Sequence, residues 1–163
     1  MWRKVTKIIL DSPTNYFKAE GFASSAKRIL ITFNLNFPDS GTEYGLYFYL
    51  NGSDDTSWNT SHFSQGSDFG YTTNWITPKP LIAGTGWEKP TVCAGNCYII
   101  NPGVNEKITF SSYYSRFNVD RSNLTEVFHE GSSLIDRQPY SSIEFKTTYG
   151  TVYGFLNFYE EIL

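Results

Sequence analysis

Two cysteines and two histidines are the residues whose chemistry reaches furthest. Cys93 and Cys97 flank Ala-Gly-Asn in the segment CAGNC, while His62 and His129 stand apart from them and from each other. A structural zinc site needs four such ligands, and its usual spacing is a CxxC pair with an HxxxH pair. Neither pair is present, so the sequence predicts no metal and no cofactor. A disulfide between Cys93 and Cys97 would close a small loop, constrain little of the unfolded chain and need an oxidising compartment. Free, partly buried thiols are the favoured reading and that disulfide is the alternative. Asp54 and Asp55 follow Asn51-Gly52-Ser53, where turn chemistry accounts for them without calcium. Glycoside cleavage needs two carboxyls held across a groove. Asp120, Glu126, Glu130, Glu144, Glu160 and Glu161 are available, yet none lies in a recognisable motif. No nucleophile, base and orienting group can be assembled, and the chain is not expected to be an enzyme.

The aromatic residues offer binding chemistry instead. Trp58, Tyr71, Trp75 and Trp87 fall in or beside long polar stretches. An aromatic face stacks on the apolar face of a sugar while neighbouring amides and carboxylates bond its hydroxyls, which makes these four the glycan candidates. The competing role, which the parity of Trp75 with Phe69 and Tyr71 favours, is packing at the ends of a sandwich or against another subunit.

Strands must position these residues. In Arg28 to Phe37, Ile29, Ile31, Phe33, Leu35 and Phe37 share one parity, and Arg28, Thr32, Asn34 and Asn36 the other. Successive strand side chains point to opposite faces, so this run buries an apolar row and presents amides and a hydroxyl on its other side. Tyr44 to Leu50 repeats the pattern after a polar turn, and the two runs are expected to pair as antiparallel neighbours. Further strands are predicted at Trp2 to Leu10, Tyr16 to Phe22, Phe69 to Thr77, Cys97 to Ile100, Lys107 to Tyr114, Ser141 to Lys146 and Val152 to Tyr159. Asp11 to Asn15 reads as a turn, Thr56 to Ser67 as an exposed loop with a weak strand, and Pro78 to Pro90 as loop. The run LTEVFHEGSSLI reads as strand, because Gly131 would weaken a helix. Short strands, regular turn signals and no convincing helix predict an all-β antiparallel sandwich, jelly-roll-like, in a single domain over residues 1–163.

The bulk composition agrees. Aromatic residues make up 18% of the 163, with 12 Tyr and 13 Phe against one Met, a composition that suits pleated surfaces. A net charge of −3 and the absence of a basic stripe exclude nucleic acid as the main partner. Nothing in the sequence approaches a helical membrane span, and no membrane insertion is expected. MWRKVTKIIL carries early positive charge, but its apolar part is too short for a signal peptide, so synthesis in the cytoplasm is expected.

Trp2, the strand ending KIIL at Leu10, YFKAEGF at Tyr16 to Phe22, RILITFNL at Arg28 to Leu35, the Asn51-Gly52 pair, SSIEF at Ser141 to Phe145 and GFLNFYE at Gly154 to Glu160 follow one another in an order that resembles a β-sandwich domain of tailed-phage virion proteins. Such domains occur in tail fibres, tail tips and decorations. The stretch from Pro78 to Pro102, with its cysteine pair and extra prolines, departs from that pattern. The resemblance implies a virion-surface structural protein made in the host cytoplasm, which attaches to other virion proteins as a homo-oligomer, commonly a trimer. It supplies no catalytic residue. The alternative is a receptor-binding module that recognises a host surface glycan through its aromatic loops.

Overall fold

A computed structural model of the chain describes residues 1–23, 25–38, 45–50, 59–66, 75–77, 79–84, 90–100, 108–118, 123–133 and 141–162. Within them run the strands β1 (Trp2–Thr14), β2 (Tyr16–Glu20), β3 (Arg28–Phe37), β4 (Gly45–Leu50), β5 (Asn59–Gly66), β6 (Trp75–Thr77), β7 (Leu81–Gly84), β8 (Thr91–Ile100), β9 (Ile108–Asn118), β10 (Asn123–Ser133), β11 (Ser142–Thr147) and β12 (Val152–Glu161). They form an eight-stranded sheet in the order β1-β12-β3-β8-β9-β10-β5-β6 and a four-stranded sheet in the order β2-β11-β4-β7.

The topology follows from nested pairing. With β5, β6, β9 and β10 set aside, the chain pairs first strand with last: β1 with β12, β2 with β11, β3 with β8 and β4 with β7, all antiparallel. A long hairpin rolled so that successive pairs alternate between two facing sheets is a jelly roll. The four strands set aside then extend the larger sheet outward from β8 through the β8–β9, β9–β10, β10–β5 and β5–β6 ladders.

The core lies between the sheets. The alternation of β3 is fully realised, with Ile29, Ile31, Phe33, Leu35 and Phe37 buried. Phe17, Phe48 and Phe145 reach down from the smaller sheet. Phe17 stacks on Phe145 at 4.8 Å, and Phe48 meets Phe110 edge-on at 5.4 Å. Truncating such a ring to alanine removes about 3–5 kcal/mol of stability. At one end of the core the buried Glu160 carboxylate pairs with Arg3 and accepts the Ala23 N–H at 2.8 Å, tying β1, β12 and the connection into β3 together. Gly154, at φ 129°, holds a conformation that L side chains rarely adopt, with the Asn34 carbonyl pressed against the place of a Cβ.

Several local expectations change. The runs at β3 and β4 do not pair with each other; they lie in different sheets, and both give apolar side chains to the one core between them. Their apolar parities are the same in either arrangement, and β3 already has β12 and β8 on its two edges. The segment Asp11 to Thr14, expected to turn, continues β1 beyond a register shift between Leu10 and Thr14. Asn59–Gly66 is a full strand on β10, and Leu81–Gly84 is strand where a loop was expected. Of the strand expected at Phe69 to Thr77, the described part is Trp75–Thr77. CAGNC is likewise extended strand, in register with both β3 and β9. Residues four apart on a strand stand about 13 Å apart at Cα, whereas a disulfide needs them within about 7 Å. Cys93 and Cys97 are accordingly free, and both are buried.

Candidate functional site

The inner face of the larger sheet is filled by core, so its outer face is the surface available to act on something else. Register places its residues side by side. On β3 the outward residues are Asn36, Asn34 and Thr32, and on β8 they are Val92, Ala94 and Asn96. Asn36 has Tyr153 of β12 as its cross-strand neighbour, and Asn34 has Phe155. On the other side, Val92 is beside Phe117 of β9 and Asn96 beside Tyr113. A strip of short amide and methyl side chains therefore runs along β3 and β8, with two rings on each flank. Tyr98 closes one end. These five rings are 37–44% exposed, so each is packed on one part of its surface and open to solvent on another.

The rings are held in place. Tyr98 meets Trp2 edge-on at 6.4 Å, and the Lys7 ammonium lies 5.4 Å from the centre of Phe155. A hydrogen bond to the Glu126 carboxylate fixes the Tyr113 phenol and, with partial desolvation, holds it above the ordinary tyrosine range. Asn157 donates to the Thr32 hydroxyl at 3.4 Å on the same face.

His129, Ser112 and the two thiols lie on the opposite, inner face. His129 is fully buried, stacked on Tyr114, with Nε2 3.0 Å from the phenol oxygen. That oxygen also accepts the Gly84 N–H at 2.9 Å. Ser112 donates to the Ile82 carbonyl at 2.5 Å. The Gly84 and Ile82 bonds tie β9 to β7 across the core, and the His129 bond ties β10 to β9 beneath them, so these polar groups serve the packing of the sheets. Burial pushes the Cys93 thiol up to about 12 and Cys97 higher still, which makes both poor nucleophiles. Among the described residues no group of three or more His, Cys, Asp or Glu could hold a metal ion. No helix among them is long and apolar enough to cross a membrane.

No protein-family model and no curated protein matches the chain. Among solved structures, a chain in the structure of infectious bursal disease virus Gx strain aligns at 13% identity and a TM-score of 0.26, covering 99% of this chain and 41% of that one. The present chain thus spans about two fifths of that chain's length. The jelly roll itself rests on the strand pairing above.

Of the aromatic residues expected to bind a glycan, Trp58, Tyr71 and Trp87 lie outside the described residues. Trp75 belongs to β6, at the far edge of the larger sheet and in register with His62, which in turn pairs with His129. The residues that sequence reasoning passed over are Tyr113, Phe117, Tyr153 and Phe155, together with the carboxamides between them. Half of the signal was legible, because the outward parity of Asn34 and Asn36 follows from the β3 alternation. What was missing was the order of the strands, which alone makes β12 and β9 the flanks of that row.

Proposed function

We propose that this chain is a non-enzymatic structural protein of a virion surface, of the tailed-phage kind, and that it works by presenting the outer face of its eight-stranded sheet to a partner outside the chain. The observation that carries this reading is the exposure of Tyr98, Tyr113, Phe117, Tyr153 and Phe155 on one continuous sheet face. A solvated sandwich face ordinarily alternates to small polar and charged residues, and a cluster of half-open rings marks a surface that meets something else. The jelly roll supports the reading by analogy, since viral capsid and lectin domains share it. The inward commitment of His129, Tyr114 and both thiols supports a role without catalysis. Attachment to other virion proteins and assembly into trimers, which the phage resemblance implies, complete the proposal, with the sheet face turned outward on the particle.

Immunogold labelling of intact particles of the encoding virus, with antibody raised against this chain, tests it. Gold on the particle surface is the expected result. Gold over the head would indicate a decoration protein, and gold at the tail tip a receptor-binding component. Labelling of infected-cell lysate with bare particles would overturn the proposal.

A further inference from the structure

From the same sheet face we infer the class of partner: a neutral oligosaccharide, laid along β3 and β8 between the rings of β12 and β9. This rests on the outer face being the working surface, and it goes beyond that by naming what the face takes. Three features carry it.

The first is the choice of floor residues. Asparagine is depleted in strands, because its short amide competes with the ladder for backbone hydrogen bonds. Yet Asn34, Asn36, Asn96 and Asn157 occupy outward positions on three adjacent central strands. Threonine, serine or lysine would solvate the face at no such cost, and departures from local preference concentrate where a protein does its work.

The second is that the amides are unspent. Asn34, Asn36 and Asn96 are half-buried, and none of their carboxamides makes a hydrogen bond among the described residues. Each presents two N–H donors and one carbonyl acceptor. A hydroxyl both donates and accepts, so a ring of sugar hydroxyls can satisfy such a floor, whereas an apolar protein face would bury it without partners. The rings beside the floor supply the complementary element. Tyr153 and Phe155 on one flank and Tyr113 and Phe117 on the other offer flat surfaces for the C–H faces of pyranose rings.

The third is charge. Along the outward positions of β12, β3, β8 and β9, the formal charges are Arg28 and Glu161, which sit at one end and pair with each other at 3.4 Å. The floor itself is uncharged, and the walls beside it carry one charge of each sign, Lys7 over Phe155 and Glu126 at Tyr113, so the face presents no cationic cluster that would select sialic, uronic or phosphorylated sugars over a neutral chain. From Asn36 to Leu30 the strip is about 20 Å long, enough for a short run of sugar units.

The test is a titration of the folded protein, followed by amide and side-chain carboxamide NMR signals, with gluco-, galacto-, manno- and N-acetylglucosamine oligosaccharides and with a sialylated oligosaccharide for contrast. Saturable shifts are expected for at least one neutral oligosaccharide, centred on the side-chain amides of Asn34, Asn36 and Asn96. The double variant Asn34→Ala/Asn96→Ala should weaken that binding about ten-fold, and Tyr113→Ala by a similar factor, with the thermal midpoint of the asparagine variant unchanged. No saturable shift with any neutral oligosaccharide, preference for the sialylated one, or shifts centred on Trp58 and Trp87 would overturn the inference. If gold labels intact particles while no neutral oligosaccharide binds, the surface role stands and the glycan assignment falls. If oligosaccharide binds and particles stay bare, the virion role falls and the site stands.

Discussion

Cys93 and Cys97 occupy inward positions on β8, one on either side of Gly95, and neither reaches water. Desolvation dominates their titration. It raises Cys93 to about 12, against partial relief from the Arg116 guanidinium, and it raises Cys97 with nothing to oppose it. In the unfolded chain both thiols ionise at about 8.5. Above that pH the folded state therefore holds more protons than the unfolded one, and stability falls as pH rises. The contribution is complete below about pH 8, and each thiol then loses about 1.4 kcal/mol per pH unit until its folded value is reached. Urea unfolding at a series of pH values from neutral to about pH 10 should show a steeper alkaline decline for the natural chain than for Cys93→Ala/Cys97→Ala. Equal slopes would mean that the thiols are not the buried acids described here. The same burial predicts that neither thiol reacts with iodoacetamide in the folded protein and that both react once it is unfolded.

At the scale of the strand, Gly95 shows how the strand expected from Cys97 instead begins at Thr91 and takes all of CAGNC into the sheet. It stands between Phe33 on β3 and Tyr114 on β9, whose rings approach to 6.1 Å, and an alanine Cβ there would lie 2.6 Å from the Tyr114 Cα. Gly95→Ala must push β9 away from β8 and is expected to cost about 1–3 kcal/mol, read as a lower urea midpoint. Tyr114→Phe should cost a comparable about 1–3 kcal/mol for a different reason, because it leaves the Gly84 N–H buried without its phenol acceptor. An unchanged midpoint in either variant would show that β9 does not sit on Gly95 and Gly84 as described. These positions also mark what the sequence could convey. The parity of β3 and the buried face of β4 follow from side-chain alternation, and the strand character of β10 from Gly131 and its β-forming residues; both signals are local. Glycine and asparagine in CAGNC signal a turn by the same local rules, and only a ring from a strand some twenty residues away makes them sheet. The placement of β4 in the second sheet was hidden for a related reason, since an apolar parity tells a strand to face the core and leaves open from which side.

For the whole molecule the open issue is whether the four strands outside the jelly roll fold with it. β9, β10, β5 and β6 continue the larger sheet from β8, so their ladder has no edge of its own against the roll. Their inner face is fastened to the smaller sheet by Tyr114 at Gly84, Ser112 at Ile82 and Phe110 against Phe48. Opening the roll would strip β7 and β4 from those residues, and opening the extension would bare β8 and the thiols beneath it. Each half thus buries the other's core, and residues 1–163 are expected to unfold as one cooperative unit. Tryptophans stand at both ends of the sheet, Trp2 on β1 and Trp75 on β6. Two variants, one keeping only Trp2 and the other only Trp75, with the remaining tryptophans changed to phenylalanine, report those ends separately by fluorescence. Their urea transitions should coincide with each other and with the loss of far-ultraviolet circular dichroism. A Trp75 transition that comes at lower urea would show that the extension is a separate folding unit, and it would detach Tyr113 and Phe117 from the rigid frame that the outer face requires. Coincident transitions place both flanks of that face, β12 and β9, on one frame, which is the mechanical condition for a strip of asparagines to hold a ligand between two fixed walls of rings.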